Sequence, residues 1–182
     1  MALPHKDPIR FSLLTIAALV LSICLPLSAA RAQSMCVLVP DKQSPSDRVL
    51  RCGRALTVQP ATGTSYSPVE TAGARPVNAV RLDSGALLID FHPSKALRNF
   101  QVLTPEAIAS VRGTKWAMEA KSGLTSVLGL EGAVQVARAN SPADAVVLRR
   151  GEGVDVRSSG EPLQVKHWAP QRVQALLARF GQ

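Results

Sequence analysis

Histidine, cysteine, serine and the carboxylates are the side chains with which a small protein does chemistry, and this 182-residue chain spreads them thinly. Apart from His5 near the start, its histidines are His92 and His167, and neither lies at a metal-ligand spacing from another histidine or a free cysteine, so no metal site is expected. His92 precedes Pro93 and reads as a loop residue; His167, beside Trp168, reads as a residue of an interface. Gly151-Glu152-Gly153 offers two glycines of a dinucleotide fingerprint, but Val156 stands where the third is needed, and the segment joins two strand-like runs instead of opening a helix. No G-x-S-x-G nucleophile elbow occurs, and no spacing gathers a serine, a histidine and an aspartate. The expectation is a protein that is not an enzyme, with no catalytic residue and no cofactor.

Cysteine chemistry is more informative, once the compartment is read. Lys6 and Arg10 precede the apolar run Phe11 to Leu27, and Ala30-Arg31-Ala32 follows with small residues where a signal peptidase requires them. Residues 1–32 are therefore expected to be a signal peptide cleaved after Ala32, with Gln33 as the new N-terminus and membrane contact only transient, through this leader. The alternative is an uncleaved anchor, which Pro26 and the small-residue tail oppose. Leu21-Ser22-Ile23-Cys24 superficially resembles a lipoprotein processing site, but Ile23 is bulky where glycine or alanine is needed, so Cys24 belongs with the leader. Cys36 and Cys52 remain, and an isolated pair in an oxidising compartment is expected to form a disulfide.

The positioning elements follow from composition and periodicity. The leader holds three of 21 basic residues and one of 13 acids, so the remaining 150 residues keep 18 and 12, a net charge of +6. The basic residues are scattered, with Arg149-Arg150 the only adjacent pair, and stacking aromatics are lacking, so nucleic acid is not an expected partner. A basic exported protein can meet anionic envelope polymers through charge attraction. Thirteen prolines and 12 glycines beside seven aromatics favour short elements joined by turns and exclude a helical bundle. Large multidomain enzymes are excluded by length.

Residues 33–74 are broken by prolines, with Leu56-Thr57-Val58 the best strand, and are expected as a disulfide-pinned lead-in, poor in core residues and ending in a mobile loop from Ala61 to Ala74. Alternation then takes over. Val80 and Leu82, the turn Asp83-Ser84-Gly85, and Leu87, Ile89 and Phe91 read as a hairpin; Phe100 and Val102, then Trp116, Met118 and Ala120, then Leu124, Ser126, Leu128 and Leu130 continue the pattern. Val134 and Val136, Val146 and Leu148, and Val154 and Val156 complete about eight short strands. The expected fold is all-β, a short-stranded antiparallel β-sandwich or β-roll with one short C-terminal α-helix. That helix of 11 residues starts at Pro170, carries Val173, Leu176, Leu177 and Phe180 as one apolar stripe, and closes at Gly181. The stripe, next to Trp168, is expected to pack on its own domain and is also the candidate partner-binding surface.

Thr104-Pro105-Glu106-Ala107-Ile108-Ala109-Ser110-Val111-Arg112-Gly113-Thr114-Lys115-Trp116 resembles the signature of the FecR domain family, a T-P-x-A-x-x-x-V-R-G-T core followed by an aromatic-containing strand. Val127 to Val136 and Leu148 to Val156 are similar to later family strands, and Leu82 to Leu87 to its opening hairpin. The resemblance spans roughly residues 75–158, leaving 159–182 as an extension bearing the helix. Independently of the name, Pro105 ends the preceding strand, Gly113 permits a positive φ or a close approach, and the Arg112 guanidinium is expected to bond turn carbonyls or a carboxylate. Thr104, Pro105, Val111, Arg112, Gly113, Thr114 and Trp116 thus form a motif that is structural or partner-binding.

The resemblance implies an extracytoplasmic β-rich module of Gram-negative bacterial type, which in the family's regulators relays a signal from an outer-membrane transporter to a sigma factor. Those regulators carry an anti-sigma domain before their transmembrane helix, whereas ten residues precede Phe11, so a stand-alone exported domain is expected. The leading functional expectation is a non-catalytic periplasmic or secreted domain binding a protein partner or an envelope polymer, with use in signalling or scaffolding. The alternatives are a small exported hydrolase with a cryptic site and a self-associating surface module.

Overall fold

The computed structural model describes residues 36–41, 47–69 and 77–182. The expected leader and the expected N-terminus Gln33 lie outside them. Four short strands come first: β1 (Cys36–Pro40), β2 (Arg48–Cys52), β3 (Leu56–Pro60) and β4 (Ser65–Pro68). Next come β5 (Ala79–Phe91), β6 (Phe100–Leu103), β7 (Ala107–Val111), β8 (Thr114–Lys121) and β9 (Leu124–Glu131). The last strands are β10 (Val134–Arg138), β11 (Ser141–Leu148), β12 (Glu152–Arg157) and β13 (Lys166–His167), before the helix α1 (Pro170–Ala178).

Both sheets grow from β5. Its C-terminal half pairs with β3 and β8, giving the first sheet the order β1-β2-β3-β5-β8-β9-β12-β13; its N-terminal half pairs with β4 and β6, giving the second the order β4-β5-β6-β7-β10-β11. The sheet curls on itself and encloses a core in which Phe91, Phe100 and Trp116 are fully buried, with ring centroids 6.2 Å and 6.3 Å apart in sequence. The all-β expectation with one short C-terminal helix is met.

Several local expectations change. Val80 to Phe91 is not a hairpin but part of one 13-residue strand, Ala79–Phe91, that bends at Gly85 (φ +94°). The two halves do not pair with each other because each has a better partner: Val80 lies opposite Val102 and Pro68, and Leu87 opposite Met118 and Pro60. The alternation still reports burial correctly, since Val80, Leu82, Leu87, Ile89 and Phe91 are all inside. One pair, β5 with β6, is parallel in a sheet expected to be antiparallel, because residues 92–99 carry the chain back across the end of the molecule. Within the expected loop after Ala61, Ser65–Pro68 forms β4, held by the Tyr66 hydroxyl donating to the Arg48 carbonyl. The preceding segment is not poor in core residues, for Leu50, Cys52, Leu56 and Val58 belong to the main core.

Cys36 and Cys52 face each other across β1 and β2, with Cα atoms 4.0 Å apart, and are joined by a disulfide. The bridge ties β1 to β2, its one neighbour in the sheet among the described residues. Replacing both cysteines by serine is expected to lower the unfolding free energy by about 3 kcal/mol, the loop-closure value for a span of this size. Equal urea midpoints for the two proteins would show that β1 is held by its ladder alone.

Candidate functional site

The T-P and V-R-G-T halves of the motif occupy two different corners. At the first, the buried Thr104 hydroxyl oxygen accepts from the Ala107 N–H at 2.9 Å and lies 2.8 Å from the Thr125 hydroxyl, which donates to the Glu106 carboxylate at 2.9 Å. Thr104 thereby clips the β6–β7 turn of the second sheet to β9 of the first, with Pro105 exposed at the tip. At the second corner the chain passes from β7 to β8 and so changes sheets. Gly113 has φ +111°, and a Cβ there would stand 2.9 Å from Cδ of Pro93. Thr114 is buried and donates to the Ala133 carbonyl at 3.0 Å, Val111 enters the core, and Trp116 sits at its centre. Arg112 differs from expectation: it is exposed, and its guanidinium makes no hydrogen bond or ion pair among the described residues. Arg112 follows the end of a strand whose inward positions are already filled by Ala109 and Val111, so its side chain is left on the outside.

A second site lies on the outer face of the first sheet. Alternation and register build it from two cross-strand rows. One runs Leu88, Ala117, Leu128, Gly153; the other runs Ala86, Glu119, Ser126, Asp155. The run Val127-Leu128-Gly129-Leu130 makes β9 apolar on both sides, so this face needs a cover as the inner face does. Helix α1 supplies it. Pro170 takes the first helical position, where its missing N–H costs nothing, and the end is closed by Gln182 N–H to the Leu177 carbonyl (3.3 Å) and Gly181 N–H to the Ala178 carbonyl (3.1 Å). The helix is nine residues long, and Phe180 reaches the face from the closing turn. Leu176 and Phe180 are buried against Ala61, Ala86, Leu88, Ala117 and Leu128, while Val173, Leu177 and Trp168 are partly buried around them.

Polar contacts fix the helix at both ends. Arg172 donates to both oxygens of Asp155, at 3.0 and 2.6 Å, and to the Ser126 hydroxyl at 3.3 Å; Ser126 in turn donates to Asp155 at 2.6 Å. The same guanidinium lies 3.5 Å above the Trp168 ring, and that ring rests on the backbone of Gly153, where a Cβ would stand only 2.3 Å from the indole. Arg179 pairs with Glu119 at the other end. Burial opposes ionisation of Asp155, but hydrogen bonds from Arg172 and Ser126 and the charges of Arg172 and Arg157 outweigh it and hold this carboxyl below the usual carboxylate range. Its folded pKa is thus depressed, so its contribution is present above the unfolded value of about 3.9 and lost as pH falls through the lower folded value. Acid titration of tryptophan emission is expected to show a step below about pH 4, as the Arg172 guanidinium over Trp168 loses its carboxylate partner, and no such step in Asp155→Asn, where that partner is already neutral. A signal flat to pH 2 in the wild type would contradict it.

Beside the helix start, Asp155, Arg157, Glu161, Lys166, Trp168 and Arg172 line an open cleft of about 540 Å³. His167 lines the cleft as well, but Ser126 and Asp155 are committed to Arg172 and His167 stands 3.9 Å from Glu152, so no serine–histidine–aspartate hydrogen-bond relay forms there among the described residues. His92 pairs at 3.0 Å with Asp90 on the exposed rim. Sequence reading found the apolar stripe and Trp168 but missed Glu119, Ser126 and Asp155. The signal available was the alternation Gly153, Asp155, Arg157 on a strand whose opposite positions, Val154 and Val156, are core.

Residues 43–135, more than half of the chain, match the family model described as FecR protein, and the chain belongs to the FecR family. The match begins within the cysteine-bonded segment and ends in β10, so it takes in both motif corners and excludes α1. Two crystal structures of a candidate anti-sigma factor from Parabacteroides distasonis ATCC 8503 share the fold, each with a TM-score of 0.53 at 19% identity over 80% of this chain. The alignment takes in 61% of the length of that protein. No curated protein matches.

Proposed function

We propose that this chain is an exported, non-catalytic FecR-family domain that binds a protein partner in envelope regulation. The observation that carries the reading is the family match over residues 43–135, and the fold shared with a candidate anti-sigma factor agrees with a role in signalling. The disulfide between Cys36 and Cys52 suits an oxidising, periplasmic or extracellular location. No helix among the described residues is long and apolar enough to cross a membrane. The exposed Arg112 and the exposed Pro105 give the motif corners side chains that a partner can reach.

The test is expression from the chain's own leader in a Gram-negative host, followed by intact-mass measurement and crosslinked recovery from envelope extracts. The expected results are a periplasmic product beginning at Gln33, no alkylatable thiol before reduction, and a recovered protein partner. A full-length cytoplasmic product, or recovery of polysaccharide alone, would overturn the reading.

A further inference from the structure

The apolar part of the outer face of the first sheet lies within the family match, whereas Gly153 and Asp155 of β12 and the helix that covers the face lie outside it. Ala61, Ala86, Leu88, Ala117 and Leu128 all fall within residues 43–135, and α1 does not. The main core lies on the other side of the same sheet and contains no α1 residue, so the β domain closes its principal core without the helix. Residues 158–165 join β12 to β13 without forming a strand and are exposed except for the partly buried Leu163, and β13 adds two residues of pairing before the helix begins. Both ion pairs that hold α1, Arg172 with Asp155 and Arg179 with Glu119, are partly open to water. Such pairs add little to affinity but much to partner choice.

We propose that this face is a helix-docking site which α1 occupies in cis, and that the partner it accepts in trans is an amphipathic helix of another protein with the same chemistry. The face specifies that chemistry. Asp155 and Glu119 call for two basic residues seven positions apart, as Arg172 and Arg179 are, and the small apolar row calls for bulky apolar side chains four and eight positions after the first, as Leu176 and Phe180 are. Acidic residues at the two basic positions would meet like charge and be rejected. Because a tethered helix competes at an effective concentration in the millimolar range, α1 acts as a plug, and a partner helix gains access only when it is the better fit or when α1 is released. The proposal deepens the reading of the chain as a protein-binding domain by naming the face and the partner's chemistry.

The probe is a fluorescein-labelled peptide of residues 168–182, titrated by anisotropy against the full chain and against full-chain Leu176→Asp/Phe180→Asp, in which the face is unaltered and the plug disabled. The expected result is binding at least about tenfold tighter by the variant, reflecting removal of the tethered competitor. A peptide with Arg172→Glu and Arg179→Glu should not bind that variant, and should bind once the protein also carries Glu119→Arg and Asp155→Arg. Three results would overturn the proposal: a variant with an intact β circular dichroism spectrum that binds the peptide no better than wild type, a variant that loses that spectrum because α1 is integral to the fold, or failure of the reversed charges to restore binding. The peptide needs no envelope component, so binding here with no recovered partner would sink the functional reading alone, and the converse would sink this proposal alone.

Discussion

Full-chain Leu176→Asp/Phe180→Asp should unfold with a stability lowered by about 4 kcal/mol while keeping its β structure. The two side chains are only 6% and 3% exposed, and each contributes about 1.5 to 3 kcal/mol by leaving water. A carboxylate cannot remain unpaired in that position, so the helix leaves the sheet and the variant forfeits the burial of both residues. The ion pairs at Asp155 and Glu119 go with it, at about 0 to 1 kcal/mol each. The loss is bounded by what docking contributes, because Phe91, Phe100 and Trp116 are packed on the opposite side of the sheet. Urea unfolding checks the size, and an unchanged midpoint would mean that the stripe does not pack on the domain in solution.

Gly113→Val is expected to cost a similar amount, about 4 kcal/mol, for a different reason. A β-branched residue at φ +111° is strained by about 1 to 3 kcal/mol. Its Cβ would also press on the Pro93 ring, where relief of overpacking costs about 1 to 3 kcal/mol more. The corner cannot shift freely, because Thr114 directly after it is buried and bonded to the Ala133 carbonyl. Thermal unfolding decides the point: a melting temperature equal to that of wild type would show that the backbone at this corner tolerates an ordinary side chain.

What the sequence revealed and what it hid divide along physical lines. Trp116, Met118 and Ala120, and Val134 and Val136, were legible because a half-buried strand writes its burial every second residue. The helix was legible because Pro170 marks its start and the stripe repeats at helical spacing; its last expected turn is a closing turn instead. Asp83-Ser84-Gly85 misled because the same residue types serve a hairpin turn and a bend within a strand, and only the pairing of each half with a distant neighbour decides between them. Arg172 with Asp155 and Arg179 with Glu119 were hidden because their members lie 17 and 60 residues apart, and nothing local announces which strand will lie beneath which turn of the helix. Arg112 was misjudged in the opposite way: an arginine within an apolar stretch suggested an inward partner, whereas the strand had ended and the side chain was already outside.

A β domain that closes its core on one side of the first sheet, with α1 covering the other side as a separable part, must open in two steps. Hydrogen–deuterium exchange on the full, unmutated chain tests this most directly, because separable parts open with separate free energies. Amides of α1 are expected to exchange at least about a hundredfold faster, relative to their intrinsic rates, than the ladder amides of β8 and β9. Equal protection of α1 and of β8, with both exchanging only through global unfolding, would contradict the account.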